Sequence, residues 1–286
     1  MPSSGSNVTL RWTTSLGEFL PCFLMSHSVL GRFLKKADVL LHGSTTIGID
    51  DPVSDLDLWF IMPGESLSEL DRLSVTRFFE FELECKLGHL NATSAEVFSG
   101  RIAAGDISQI AELRSAVPII ENLGIGTELI ELACRPMSTG LSRALFFFHY
   151  VEMRGWHTSC DNPMERGNAV ASLLSLSETL SHALKAAMVL DGQPYPYEKW
   201  LWSAAYKTPT GRRLAPDVEK ILDFLAQDAL RVAGPHKKNP LNNELHLIRS
   251  KLIHAAGEKG IDAPWLKAWY LYMAQAREAK DNACWP

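Results

Sequence analysis

Two aspartates separated by one residue are the most chemically informative feature of this sequence. They lie in the segment Ser54-Asp55-Leu56-Asp57-Leu58, in which leucines take the alternate positions. Side chains alternate between the two faces of a strand, so both carboxylates are predicted to stand side by side while the leucines enter the core. Adjacent like charges repel unless a cation is shared between them. Because Mg²⁺ prefers carboxylate oxygen and also binds substrate phosphates, this pair is a candidate magnesium site.

A glycine and a serine precede the aspartates and complete a candidate phosphate site. An apolar run ends at Gly43-Ser44, and ten residues separate Ser44 from Asp55. Glycine permits a close approach of the backbone to a ligand, and a hydroxyl is useful for holding phosphate. We therefore predict that Gly43 and Ser44 contact phosphate.

Together, Gly43-Ser44, the ten-residue spacer and Asp55-x-Asp57 with its apolar flanks resemble the nucleotidyltransferase fold of the DNA polymerase β superfamily. The resemblance is strong over residues 38–62 and extends to about residue 99. It implies that Asp55 and Asp57 are catalytic and hold Mg²⁺, and that Gly43 and Ser44 bind the phosphates of ATP or another nucleoside triphosphate. The reaction would move a nucleoside monophosphate, most simply AMP, onto a hydroxyl of a small-molecule acceptor. This arrangement is similar to that of aminoglycoside and lincosamide nucleotidyltransferases.

The family usually has a third carboxylate on a later strand, and this sequence departs from that pattern. Asn91 stands at the expected position in the third predicted strand. Asparagine can ligate a metal through its carbonyl oxygen but cannot act as a base, so Asn91 is predicted as a metal ligand only. Four nearby glutamates do not fit the position without a shift in register: Glu80, Glu82, Glu84 and Glu96.

A second cluster of candidate residues is the aromatic segment from Tyr195 to Trp202, which contains Glu198-Lys199-Trp200. Helical domains that accompany such nucleotidyltransferases carry a similar aromatic-Lys-Trp segment. The resemblance implies that Lys199 reaches the phosphates and that the aromatic rings line a pocket. The alternative is a proline-constrained loop whose rings anchor it to the helical bundle. Glu198 is a further candidate for the missing base.

The pattern of apolar residues predicts an α+β protein, with strands confined to its first half. Strands are predicted over 39–42, 55–62 and 87–97, and helices over 16–36 and 67–84. The later segments all have helical spacing: 105–115, 127–134, 138–156, 165–190, 216–233, 240–254 and 264–280. We therefore predict a nucleotidyltransferase-fold α/β domain over residues 1–125 and a C-terminal helical bundle over residues 126–286.

The composition narrows the partners and the compartment. The 286 residues carry a formal net charge of −5, which argues against a long nucleic acid as partner. Five scattered cysteines without C-x-x-C spacing are typical of reduced intracellular thiols. The sequence shows no signal peptide, and its longest apolar stretch, near 144–151, is too short to span a bilayer. We expect a cytoplasmic protein with no membrane partner.

Two other functions remain open at this point. The departure at Asn91 is compatible with a non-catalytic nucleotide-binding or regulatory module that keeps the fold and has lost turnover. A third function is the transfer of AMP to a tyrosine of a partner protein, as in antitoxin-type enzymes. Such antitoxins are often a single minimal domain, so the long helical half of this chain counts against that function.

Overall fold

The chain forms two compact units, residues 1–135 and 136–286. The computed structural model describes residues 4–74, 76–227 and 239–286. Every strand in the described part of the chain lies in the first unit, whereas the described elements of the second unit are helices. The predicted α+β class is thus confirmed. The helix at 125–134 belongs to the first unit, because Gly126 lies against Leu40 and donates its N–H to Asp38.

The first unit is a five-stranded mixed sheet with helices on both faces. Its strand order is β3-β4-β2-β1-β5, with β2 and β4 parallel and the other neighbours antiparallel. The elements in chain order are α1 (Ser4–Ser26), β1 (Asp38–His42), α2 (Ser44–Ile47), β2 (Leu56–Met62), α3 (Gly64–Leu73), β3 (Phe78–Leu83), β4 (Lys86–Ser94), α4 (Ala95–Ala103), α5 (Ile107–Ser115), β5 (Val117–Ile120) and α6 (Ile125–Cys134).

One face of the sheet forms the main hydrophobic core against α1. Leu16, Leu20 and Leu24 recur every fourth residue and therefore lie on one side of that helix. They are fully buried together with Leu56 and Leu58 of β2, as the alternation in the sequence predicts. Because these leucines fix one face of β2 in the core, Asp57 must project from the opposite face.

Helices α4, α5 and α6 pack on that opposite face. The ring of Trp59 on β2 contacts Phe98 of α4, with the ring centroids 4.8 Å apart. A side chain at Gly126 of α6 would come within 2.7 Å of Leu40 on β1, so only glycine lets this helix approach the sheet so closely. These helices cover the part of the sheet that lies beyond Asp57. The end of β2 that carries Asp57 is left partly exposed.

The predicted helix over 67–84 is wrong in its second half. Helix α3 ends at Leu73, and residues 78–83 form strand β3 instead. Phe79 and Phe81 point into the core, while Glu80 between them is exposed. A run of alternating phenylalanine and glutamate fits both periodicities over a short distance, and pairing with β4 decides in favour of the strand.

The helix predicted over 16–36 also differs from the structure. Helix α1 extends from residue 4 to residue 26, and short 3-10 turns follow at Leu30–Arg32 and Leu34–Lys36. Strand β5, which pairs with β1 at the edge of the sheet, has no counterpart in the sequence-based prediction. With only four half-buried residues, it is too short to leave a periodic signal.

The second unit is a set of helices around the long pair α7 and α9. In chain order these helices are α7 (Thr139–Ser159), α8 (Asp161–Glu165), α9 (Ala169–Leu190), α10 (Glu198–Ala205), α11 (Pro209–Gln227), α12 (Pro240–Glu258) and α13 (Met273–Asp281). Helix α11 begins at Pro209. The sequence analysis predicted a start at Pro216, which lies inside the helix. Residues 228–233 of that predicted helix lie outside the described residues. None of the described helices is both long and apolar enough to cross a membrane.

Candidate active site

Gly43 ends β1 in a conformation that only glycine adopts readily. Its φ is 82° and its ψ is −153°. A Cβ at this position would lie 2.7 Å from Oδ2 of Asp57, closer than two such atoms can approach. The space that a side chain would need at Gly43 is therefore occupied by the carboxylate of Asp57.

Ser44 opens the short helix α2 directly after this glycine. The carbonyl oxygen of Gly43 accepts hydrogen bonds from the N–H groups of Thr46 at 3.2 Å and Ile47 at 3.4 Å, which fixes the turn. Ser44 is half-buried beside the end of β1. The contact of Gly43 and Ser44 with phosphate stays a prediction.

A small network positions the loop that leads into Asp55. Lys86, at the start of β4, donates to the carbonyl oxygens of Asp51 at 2.9 Å and Ser54 at 2.8 Å. The carboxylate of Asp51 accepts from the Ser54 hydroxyl at 2.8 Å and from the N–H of Val53 at 3.0 Å. These hydrogen bonds lower the pKa of Asp51, and the bond from the Ser54 hydroxyl has the largest effect. The loop thus reaches Asp55 in a fixed conformation.

Asp55, Asp57 and His89 form a cluster at this end of the sheet. Asp57 on β2 and His89 on the parallel strand β4 are in register. The Nδ1 atom of His89 lies 3.1 Å from Oδ2 of Asp55 and 3.7 Å from Oδ1 of Asp57. One ligand atom from each of the three residues lies within 4.8 Å of the others. The structure therefore brings the two predicted aspartates together and adds an imidazole that the sequence analysis did not single out.

Two members of the cluster, Asp57 and His89, belong to a row of four polar side chains that crosses the sheet. Antiparallel pairing sets His42 of β1 opposite Asp57 and Glu80 of β3 opposite His89. Residues paired in register project from the same face, so Glu80, His89, Asp57 and His42 follow one another across four strands. Glu80 is exposed at the outer end of this row.

Asn91 is placed away from the centre of this row. It lies two residues beyond His89 on β4 and is in register with Trp59 of β2 and Phe78 of β3. The position beside Asp57, at which a third carboxylate was expected, is therefore that of His89. The sequence could not fix this register, because the partner strand of β4 was unknown. Ligation of a metal by Asn91 stays an untested prediction.

The other glutamates considered from the sequence are engaged elsewhere or lie further away. Glu84 forms an ion pair with Arg11, and this contact lowers its pKa. Glu96 accepts the N–H of Gly64 at 3.3 Å, at the opposite end of β2 from the cluster. Of these residues, Glu80 is the carboxylate that the sheet brings next to His89.

At the inner end of the row, His42 is held rigidly by its surroundings. Its Nδ1 atom is 2.9 Å from Oε1 of Glu112 on α5, and both side chains are buried. The imidazole stacks on Trp59, with the ring centroids 3.7 Å apart. The Nε2 atom of His42 is buried without a hydrogen-bond partner. This pair fixes the end of β1, from which Gly43 and Ser44 follow.

The residues predicted from the second cluster lie in the second unit. Lys199 is exposed, and its Nζ atom lies 4.3 Å from the centroid of the buried Trp200 ring. Glu198 pairs with Lys185 at 2.5 Å, and this hydrogen bond lowers the pKa of Glu198. A carboxylate that is held anionic by a lysine is a weaker base, so Glu198 is a poor candidate for proton abstraction. A role of Lys199 at phosphate stays a prediction.

The chemistry of the donor set fits a divalent cation. Asp55 and Asp57 supply carboxylate oxygens, and His89 supplies an imidazole nitrogen, all from one face of the sheet. Carboxylates suit Mg²⁺ and Mn²⁺, whereas an imidazole nitrogen favours the transition metals over Mg²⁺. The half-exposed Asp55 leaves one side of the cluster open to solvent and to a phosphate.

Comparison with known proteins gives a distant structural likeness and no family assignment. A search of protein-family models finds no match to this sequence, and a search of curated proteins finds none either. Among solved structures, the chain is similar to a nucleotidyltransferase-like protein from Exiguobacterium sibiricum, at 14% sequence identity and a TM-score of 0.43. The similarity covers 93% of this chain and 80% of that protein. At this level the likeness concerns general architecture and does not identify a substrate.

Proposed function

We propose that this protein is a metal-dependent nucleotidyltransferase that moves a nucleoside monophosphate, most simply AMP from ATP, onto a hydroxyl of a small-molecule acceptor. The observation that carries the proposal is the cluster of Asp55, Asp57 and His89 beside the turn at Gly43. It combines three metal-ligating side chains with a turn whose backbone has room for no side chain. Carboxylate ligands for a cation next to a glycine turn suit the binding of a metal-complexed triphosphate.

Each residue of the cluster has a physical task in this reaction. Asp55, Asp57 and His89 would hold the cation, which supplies positive charge to the phosphates. The backbone at Gly43 and the hydroxyl of Ser44 would hold the triphosphate so that the α-phosphorus faces the acceptor. A bond forms between the acceptor oxygen and the α-phosphorus, and the bond from that phosphorus to pyrophosphate breaks.

The acceptor hydroxyl must also lose its proton. Glu80 is our candidate for the base, because it is exposed and stands opposite His89 in the row across the sheet. A general base typically contributes about 10²–10⁴-fold to the rate. Glu80→Gln is therefore expected to lower kcat by that order while leaving the affinity for the cation nearly unchanged.

One observation favours a second candidate function, a nucleotide-binding module without turnover. The third position of the cluster holds an imidazole in place of a carboxylate, which reduces the negative charge that the three side chains can offer a cation. Such a module would bind ATP with a divalent cation and release it unchanged.

The two functions differ in a transfer experiment on the full chain. The protein is incubated with each of the four nucleoside triphosphates, labelled at the α-phosphate, with Mg²⁺ or Mn²⁺ and an extract of small molecules. We expect the label to appear on an acceptor together with free pyrophosphate. Asp55→Asn and Asp57→Asn should each lower transfer about 100-fold or more, since each removes charge next to the reacting phosphate.

The matched control is Asp223→Asn, which removes an exposed carboxylate of α11 and should leave transfer unchanged. Calorimetric binding of ATP without transfer, lost in the Asp55 and Asp57 variants, would establish the binding module in place of the enzyme. Label on protein in place of a small molecule would indicate a protein acceptor. Equal activity of wild type and both aspartate variants would remove this cluster from the active site.

A further inference from the structure

Two arginines of the helical unit carry buried N–H groups without acceptors. On α7, the Nε and Nη1 atoms of Arg154 are buried and make no hydrogen bond. On α12, the same holds for the Nε atom of Arg249. An unpaired donor inside a protein is costly, and more so when it belongs to a charged group. Three such donors on two side chains call for a ligand with several acceptor atoms.

The two arginines lie near a point at which side chains of α7 and α12 meet. The Nε2 atom of His157 on α7 lies 2.8 Å from Oδ1 of Asn242 on α12, and the rings of His157 and His246 are 5.1 Å apart. Arg154 precedes His157 by three residues, and Arg249 follows His246 by three. Residues three apart share a helix face, so both arginines lie one turn from the histidine contact.

The positive charge of Arg249 is one cause of a lowered pKa at Arg154. Burial, and then the charge of Arg249, lower the pKa of Arg154, whereas its hydrogen bond with Tyr150 raises that pKa. The guanidinium of Arg154 also lies 5.9 Å from the centroid of the Trp269 ring. Within the described residues no carboxylate forms an ion pair with either arginine. The pair therefore concentrates positive charge that nothing described on the chain neutralises.

We propose that Arg154 and Arg249 form a binding site for the phosphate group of a small ligand. Two guanidinium groups match a phosphate monoester in charge, since the ester carries about −1.5 to −2 at neutral pH. Each of its three terminal oxygens can accept more than one hydrogen bond, which is enough for the four N–H groups on the three unpaired nitrogen atoms. A carboxylate offers half of that charge and fewer acceptors. Both arginines are half-buried as whole residues, so part of each side chain is accessible to solvent although the unpaired nitrogen atoms are not.

The proposal is tested on the full chain in EDTA, by calorimetry and thermal unfolding with inorganic phosphate against chloride at equal ionic strength. We expect saturable binding of phosphate and a rise in Tm with concentration. Arg154→Gln and Arg249→Gln should each weaken phosphate binding about tenfold or more, because a charge-assisted pair is lost. Arg212→Gln, at an exposed position on α11, is the matched control and should bind like wild type.

Stability without phosphate gives a second readout. Removing one of two neighbouring like charges should raise the Tm of Arg249→Gln in chloride, although this variant no longer responds to phosphate. Arg249→Lys keeps the charge but loses the Nε donor, and it should fall between wild type and Arg249→Gln in affinity. Arg249→Lys also keeps the proposal testable if Arg154→Gln does not fold.

Three results would overturn the proposal: no response of wild type to phosphate, a response that all the variants retain, or equal binding of acetate. If phosphate binds at Gly43 and Ser44 instead, all the arginine variants should keep the response to phosphate. Binding of methyl phosphate as tight as that of inorganic phosphate would assign the site to a phosphorylated molecule. If methyl phosphate binds much more weakly than inorganic phosphate, the site is assigned to free phosphate. None of these outcomes depends on nucleotidyl transfer.

Discussion

Gly43 is fixed by two independent constraints that act on a single residue. Its backbone lies in a region that L-residues avoid, and the space for a Cβ is taken by the carboxylate of Asp57. A substitution at this position therefore acts on the metal ligand as well as on the turn. The sequence analysis gave Gly43 a role at phosphate alone, and its contact with Asp57 adds a second reason for glycine.

Gly43→Ala should accordingly damage both stability and metal binding. We expect a loss of about 1–3 kcal/mol in the free energy of unfolding, from backbone strain and from displacement of Asp57. Affinity for Mn²⁺, measured by calorimetry, should fall as well. Gly124→Ala is the control, because Gly124 also has a positive φ, of 74°, but has open space around it. That variant should lose stability and keep its metal affinity, whereas parallel losses in both variants would contradict the role of Gly43.

His89 sets the charge and the donor type of the third position in the cluster. We expect His89→Asp to bind Mg²⁺ more tightly than wild type, because a carboxylate adds negative charge and an oxygen donor. In EDTA the same variant should be less stable, since three carboxylates then face one another. Thermal unfolding in EDTA, Mg²⁺ and Mn²⁺ measures both effects.

Asn91→Asp is the matched control for this change at His89. It adds the same charge two residues further along β4, in register with Trp59 and not with Asp57. Its response to Mg²⁺ should stay close to that of wild type. A larger gain in Asn91→Asp than in His89→Asp would show that Asn91, as the sequence analysis expected, is the third ligand.

At the scale of elements, the hairpin of β3 and β4 carries half of the polar row. It holds Glu80 and His89 in register, and its two-residue turn is Glu84-Cys85. Both turn residues have positive φ, 49° and 63°, which is the geometry of a type I′ turn. Such turns normally contain glycine or asparagine, so this one stores strain and gives no signal in the sequence.

Replacing Cys85 with glycine should therefore stabilise the protein. We expect Cys85→Gly to raise the free energy of unfolding by about 0.5–1 kcal/mol, as the left-handed conformation no longer strains a side chain. The control is Cys22→Gly in the interior of α1, where glycine should cost about 1 kcal/mol. Denaturant unfolding measures both changes, and destabilisation by Cys85→Gly would contradict the strained turn.

At the scale of the whole molecule, the helical unit contains a buried pair of histidines that makes it sensitive to acid. The Nδ1 atoms of His149 and His182 lie 2.9 Å apart and join α7 to α9. Burial, followed by the charge of Lys185, lowers the pKa of His182 to about 4. Burial likewise lowers the pKa of His149. Both histidines are therefore neutral in the folded protein at neutral pH.

The unfolded chain binds more protons at these histidines than the folded chain between pH 6.5 and pH 4. Stability should thus be complete above pH 6.5 and fall as the pH drops to 4, by up to about 3 kcal/mol for His182. His182→Gln should flatten this pH dependence, and His254→Gln, at an exposed histidine, should not. Denaturant unfolding across this range measures the slope, and an unchanged slope in His182→Gln would exclude this histidine as the cause.

The sequence alone determined the features that depend on local spacing. The glycine that ends β1, the aspartates one residue apart and the leucines between them could be placed, because a strand alternates its faces with period two. The same local rule, with a helical period, assigned most helices of the second half and hence the α+β class. These features need no knowledge of distant partners.

Only the tertiary structure decided which residues join Asp57 in the polar row across the sheet. His89, Glu80 and His42 come from three other strands, and their register depends on hydrogen bonds between segments far apart in sequence. A shift in register changes every neighbour of a residue, so the sequence alone could not decide whether His89 or Asn91 is in register with Asp57. The pairing of Arg154 with Arg249 likewise depends on two helices that meet only in the folded chain. Local patterns cannot encode such contacts, because they arise from packing and not from spacing along the chain.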